Sequence, residues 1–124
     1  MKKIILVEDD PFLIDIYTRK LKKAGLEIMV AENGDEALKL LQQETFDLMV
    51  LDIVLPKIDG WTILREIKEL KQKNRDLEGL KIIILSNLDQ KEEVEKGLKL
   101  GASKYLIKAH YTPSQVVEEI KKIL

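Results

Sequence analysis

The chain of 124 residues is predicted to be a doubly wound α/β domain in which five parallel strands alternate with five helices. Three observations predict it. Short aliphatic runs at residues 4–7, 28–31, 48–51, 82–85 and 105–107 are too brief for helices and show no alternation, which marks strands buried on both faces. The stretches between them carry apolar residues at helical spacing. Helix start and stop residues stand at the junctions.

In chain order, residues 4–7 form the first strand. Asp10 then caps and Pro11 opens a helix whose inward face holds Leu13, Ile16, Tyr17 and Leu21, and Gly25 stops it. After the second strand, Asn33-Gly34-Asp35-Glu36 has the pattern of a capping box and leads into Ala37, Leu38 and Leu41. The third strand ends at Leu51. Asp59-Gly60 reads as a turn before Ile63, Leu64, Ile67 and Leu70. Residues 71–79 are polar and predict an exposed loop. Beyond the fourth strand, Asp89-Gln90-Lys91-Glu92 suggests another capping box, ahead of a weaker stripe of Val94 and Leu98 that Gly101 ends. The fifth strand precedes Thr112-Pro113-Ser114-Gln115, a fuller box with Pro in the first turn, and a helix carrying Val116, Val117, Ile120 and Leu124.

Composition narrows the function. With 21 basic and 22 acidic side chains the net charge is −1, which gives no footprint for direct nucleic-acid binding. No cysteine is present to build a disulfide or a thiolate metal site. No apolar run approaches the roughly 20 residues needed to cross a bilayer, and no leader pattern follows Met1. The expectation is one soluble cytoplasmic domain over residues 1–124, without membrane contact.

Periodicity leaves the strand order open. In the flavodoxin-like order 2-1-3-4-5, strands one and three lie side by side at a switch point, and ligands bind beyond the carboxyl ends of the strands. At those ends stand Glu8, Asp9 and Asp10, then Asp52, then Ser86, then Lys108. Crowded carboxylates repel, and a divalent cation relieves them. Oxygen-only ligands select a hard ion, so Mg2+ is expected on Asp9 and Asp52, with Glu8 direct or through water and the Val54 carbonyl as a further donor. A carboxylate can also attack phosphorus to form an acyl phosphate. Asp52, ending the central strand, is the best placed nucleophile. Mg2+ would then take one phosphoryl oxygen, Lys108 a second, and the Ser86 hydroxyl or backbone amides a third.

The stretches VEDDP, LDIVLPKIDGW, IILSN and GASKYLIK, taken together, resemble the signature blocks of bacterial two-component response regulator receiver domains, of the single-domain chemotaxis-regulator kind. The resemblance implies the order 2-1-3-4-5, an acid pair at Glu8 and Asp9, a phosphoacceptor at Asp52, a switch hydroxyl at Ser86, a phosphate-binding Lys108 and a reporting aromatic at Tyr105. It implies Mg2+ as cofactor and a sensor histidine kinase or histidine phosphotransfer protein as phosphodonor. It also implies self-catalysed phosphorylation and dephosphorylation rather than turnover, and docking or dimerisation through the face of helix 4, strand 5 and helix 5.

Three departures stand out. Lys108 is followed by Ala109-His110 rather than by Pro, so that bond is either trans or carries the roughly 2.5–4 kcal/mol of a cis non-prolyl peptide. Asn87 replaces a small residue and narrows access to Asp52. Val54 and Leu88 are apolar where attacking water would be held, which predicts slow self-dephosphorylation. Plainer readings accompany several residues: Asp10 as a cap alone, Trp61 as packing, His110 as a surface residue, Tyr105 as an ordinary strand aromatic. Rival functions are a haloacid-dehalogenase-type phosphotransferase, a flavin-binding flavodoxin (its phosphate loop is replaced here by acids) and a receiver-like scaffold that is never phosphorylated.

Overall fold

A computed structural model describes residues 1–124. The strands are β1 (Lys3–Val7), β2 (Glu27–Ala31), β3 (Leu48–Leu51), β4 (Lys81–Ser86) and β5 (Lys104–Ile107). The helices are α1 (Pro11–Lys23), α2 (Gly34–Gln43), α3 (Gly60–Lys73), α4 (Lys91–Lys99) and α5 (Pro113–Ile123). All strand pairings are parallel, in the order β2-β1-β3-β4-β5, leaving β2 and β5 at the edges. Because each crossover passes through a helix, the sheet is covered on both faces.

Side chains alternate between two separate cores. Ile5, Val7, Met49, Leu51, Ile82 and Ile84 pack with Ala37, Leu41, Ile63, Leu64 and Ile67 from α2 and α3. Ile4, Leu6, Leu48, Val50, Ile83, Leu85 and Leu106 pack with Tyr17 and Leu21 of α1 and with Val116, Val117 and Ile120 of α5. Each fully buried aliphatic contributes about 1.5–3 kcal/mol, and both layers consist almost wholly of such residues. That is why the strands read as unbroken apolar runs.

The caps follow the sequence closely at α1, α2 and α5, while Asp59-Gly60, read as a turn, is the cap and first residue of α3. Asp10 accepts the amides of Phe12 and Leu13, Asn33 that of Glu36, and Asp59 that of Thr62. At α5 the box is complete: Gln115 N donates to Thr112 Oγ1 at 3.2 Å and Thr112 N to Gln115 Oε1 at 2.8 Å. Gly25 and Gly101 take positive φ, as expected of helix stops.

Three expectations need correction. The α2 box is half made, because Glu36 reaches back to the amide of Glu32 rather than to that of Asn33. The box expected at Asp89 to Glu92 lies one residue later, with Gln90 as cap and Glu93 accepting its amide at 3.3 Å. Residues 71–79 are not simply a loop: α3 continues to Lys73, and a 3-10 turn at Arg75–Leu77 folds Leu77 into the core.

The fourth stripe is also phased differently. Leu98 is 46 % exposed, and α4 meets the sheet through Gly97. A Cβ there would stand 2.5 Å from Ile84 Cδ1 and 2.9 Å from Tyr105 Cδ2. Any larger residue there would force Ile84 or Tyr105 to shift.

Candidate functional site

Strand register brings the polar residues to one rim. Val7 pairs with Leu51, so Glu8 and Asp52, the next residue on each strand, emerge side by side. Asp52 N donates to Val7 O at 3.0 Å, which fixes that junction. Ser86 pairs with Ile107, so Lys108 leaves β5 directly beside the end of β4. The β3–α3 loop is held against the sheet by Gly60, whose amide donates to Ile53 O at 2.8 Å; a Cβ at Gly60 would strike Ile53 Cα and Asp52 O.

The Lys108 ammonium donates to Glu8 Oε1 at 2.6 Å and to Asp52 Oδ2 at 2.7 Å. Glu8 is 2 % and Asp52 7 % exposed, so this is a buried three-charge contact. The other Glu8 oxygen accepts the amides of Asp9 and Asp10 at 3.0 and 3.1 Å, and Asp52 Oδ1 accepts that of Val54 at 3.3 Å. Asp9 is exposed, but carboxylate oxygens of Glu8, Asp9 and Asp52 all come within 4.8 Å of one another. Burial pushes the Glu8 carboxyl above the usual carboxylate range, against the pull of Lys108. For Lys108, burial alone would lower the ammonium; hydrogen bonds to Asp52 and Glu8 outweigh it and hold the pKa above the ordinary lysine value.

Ser86 is fully buried, and its Oγ accepts the amide of Leu88 at 3.3 Å. The Tyr105 hydroxyl donates to Leu88 O at 2.6 Å, and its ring is half-buried against Gly97. Thus the loop after β4 is held from two sides, by the hydroxyl at its start and by the aromatic on β5. Val54 is 61 % exposed, and Leu88 is half-buried.

Glu8, Asp9, Asp52 and Lys108 thus meet at this rim, with Ser86 ending the adjacent strand, while Val54 reaches Asp52 through its amide. Asp10 acts as the α1 cap. His110 is exposed in a 3-10 turn at Lys108–His110 and is not a member of the Glu8, Asp9 and Asp52 group. Trp61 is half-buried on the α3 side, with the Lys96 ammonium 4.5 Å above its ring.

Two residues gain roles that the sequence did not disclose. Asn87 Oδ1 accepts the amide of Ala109 at 3.0 Å, so it pins the segment after Lys108, whose peptide bond to Ala109 is trans. Tyr17 lies in the α1 core stripe, and burial raises its phenol, with the charges of Lys108, Glu8 and Asp52 acting on it as well. The only signal for Tyr17 was a phenol in a stripe otherwise aliphatic. For Asn87 there was none, since its partner is a backbone amide 22 residues on.

A family model described as the response regulator receiver domain matches residues 4–121. The chain belongs to that family. Among its relatives, the alkaline phosphatase synthesis transcriptional regulatory protein PhoP of Bacillus subtilis is 32 % identical over 123 residues, covering 99 % of this chain and 48 % of the relative. The transcriptional regulatory protein CusR of Escherichia coli is 35 % identical over 106 residues, 86 % of this chain and 44 % of the relative. The receiver domain thus spans about half the length of these curated relatives. In three dimensions it is similar to the receiver domain of the Francisella response regulator 1452, with a TM-score of 0.86 at 27 % identity over 99 % of this chain and 96 % of that one. A CheY-like receiver domain protein from Methanospirillum hungatei gives the same TM-score at 29 % identity, covering 98 % and 92 %. Receiver domains are phosphoacceptor switches of two-component signalling that interact with histidine kinases, and the family binds Mg2+ at an acidic pocket. No helix of this one is long and apolar enough to cross a membrane.

Proposed function

We propose that this receiver domain, residues 1–124 taken as one unit, accepts a phosphoryl group on Asp52 and changes the partner-binding face of α4, β5 and α5 in response. The observation that carries the reading is the position of Lys108. Its ammonium already rests on the Asp52 carboxylate, where it would meet an oxygen of an incoming phosphoryl group.

The donor set fits a hard divalent cation. Carboxylates of Glu8, Asp9 and Asp52 converge without a nitrogen or sulfur ligand, and the Val54 carbonyl is two residues on. Bound there, Mg2+ would neutralise phosphoryl charge. The chain itself does the rest. Asp52 supplies the nucleophilic oxygen from a backbone position locked by Val7. Lys108 shifts from carboxylate to phosphoryl oxygen. Ser86 trades the Leu88 amide for the new group, which draws the β4–α4 loop inward and removes the carbonyl that holds Tyr105. Tyr105 then repacks, and the face bearing Lys104 and Glu119 is altered for a downstream partner or a second copy.

A histidine kinase or phosphotransfer protein is the proposed phosphodonor, and the cytoplasm the proposed location. Exposed Phe12 and Val54, each within three residues of a site acid, supply apolar contact for such a donor. We read the domain as a switch, not a turnover enzyme.

The test is incubation with Mg2+ and acetyl phosphate, followed by intact mass. The expected result is a single PO3H adduct that disappears in Asp52→Asn. An adduct that persists in that variant, or repeated turnover of a phosphomonoester, would refute the assignment.

A further inference from the structure

Across the groove between α3 and α4, basic side chains of both helices converge instead of pairing with acids. Arg65 and Lys68 line it from α3, and Lys96 and Lys99 from α4, with Glu92 and Glu95 on the α4 rim and Leu100 on the wall. The open groove measures about 520 Å³ and shares Lys68, Lys99 and Leu100 with a smaller adjoining cleft, behind which Leu64 and Ile82 are buried. Acids stand at the helical spacing that normally gives ion pairs: Glu69 four residues after Arg65, Glu92 four before Lys96, and Glu95 four before Lys99. Yet none of the four cations lies within 4.0 Å of a carboxylate. Glu95 reaches toward Lys91 at 3.9 Å, and the Lys96 ammonium is drawn over Trp61.

Like charges facing each other across an open cleft repel within the free domain, and they attract anions there. The arrangement is one that an anionic occupant would relieve. We propose that the α3–α4 groove is a docking surface for an acidic segment of a partner polypeptide, whose carboxylates pair with Arg65, Lys68 and Lys99 and of which an apolar side chain rests on Leu100. A polypeptide fits better than a nucleic acid for two reasons. Glu92 and Glu95 stand on one rim and would repel a continuous run of phosphates, whereas mixed polar and apolar side chains can avoid them. The half-buried Leu100 also offers an apolar contact that a phosphate backbone cannot use.

This surface is distinct from the acid rim and does not depend on Asp52. It does share α4 with the switch, because the Lys96 contact ties α4 to Trp61 at the start of α3 while Gly97 lies on Tyr105. An occupant that draws Lys96 away from Trp61 would be registered by the only tryptophan in the chain.

The test is a titration with a short peptide in which glutamates are spaced by serines and leucines, followed by Trp61 emission. Comparators are an uncharged peptide of the same length and a single-stranded oligonucleotide of the same formal charge. The expected result is a saturable change, weakened by salt, roughly tenfold weaker for Lys68→Glu/Lys99→Glu, and unaltered for Lys20→Glu/Lys23→Glu on the α1 side. Circular dichroism monitors folding, and Lys68→Gln/Lys99→Gln serves if charge reversal disturbs it. Absence of saturation, equal loss in the Lys20/Lys23 variant, or tighter binding of the oligonucleotide would each overturn the proposal. Adduct formation from acetyl phosphate should be unchanged in the Lys68/Lys99 variants, so this outcome is separable from the assignment of Asp52.

Discussion

At Lys108 one ammonium answers two buried carboxylates, and its loss would leave both uncompensated. Lys108→Ala is therefore expected to cost about 3–5 kcal/mol in urea unfolding without divalent cations, with part of the loss recovered when Mg2+ is added. Glu8 has the opposite sign. Its carboxyl is raised by burial, so its contribution is fully favourable below the unfolded value near 4.5 and is lost as pH rises through the folded value. Glu8→Gln should accordingly be more stable than the parent at neutral pH, and the advantage should shrink as pH falls toward 4.5; an advantage independent of pH would contradict the assignment. Val54 and Leu88 offer no hydrogen bond to an attacking water, so phospho-Asp52 should outlast the seconds scale, and Leu88→Asn should shorten its lifetime. Acid quench and mass measurement at intervals would check both. The site itself was legible because its residues sit directly after apolar strands, where parallel topology leaves them no other rim to occupy. The role of Asn87 was not, since an amide bonding to a distant backbone leaves no pattern in the chain.

At the scale of the element, α4 shows why legibility stops short of packing. Strand runs and caps are local signals, and they placed every strand to within a residue or so. The helix stripe read from Val94 and Leu98 failed because the residue that meets the sheet is Gly97, which has no side chain to advertise burial. Likewise Leu77 looked like one apolar residue in a polar loop, while the 3-10 turn that buries it depends on tertiary contact. Gly97→Ala puts the two effects in opposition. Alanine favours the helix by about 1 kcal/mol, but the added methyl meets Ile84 and Tyr105 closely enough to cost about 1–3 kcal/mol. Net destabilisation is expected, together with loss of the Tyr105 contact to Leu88, visible as a shifted Tyr105 ring signal in NMR. A gain in stability with an unmoved ring would show that α4 has more room than the contacts imply.

For the whole molecule, two independent apolar layers share one sheet, so damage to either should unfold both. Leu6→Ala on the α1/α5 side and Leu51→Ala on the α2/α3 side are each expected to cost about 2–5 kcal/mol while keeping a single urea transition. Two transitions in either variant would mean that the layers melt separately. The sheet also has two open borders, since neither β2 nor β5 has an outer neighbour. Unpaired backbone groups along such borders recruit strands from other molecules. β5 counters this with only four residues and with Lys104, half-buried and tied to Glu119 at 2.9 Å; β2 begins with the exposed Glu27. These charges act as gatekeepers against aggregation: a chain carrying valine at both positions would retain its native fold yet lose colloidal stability, clouding on storage at concentrations where the parent stays clear.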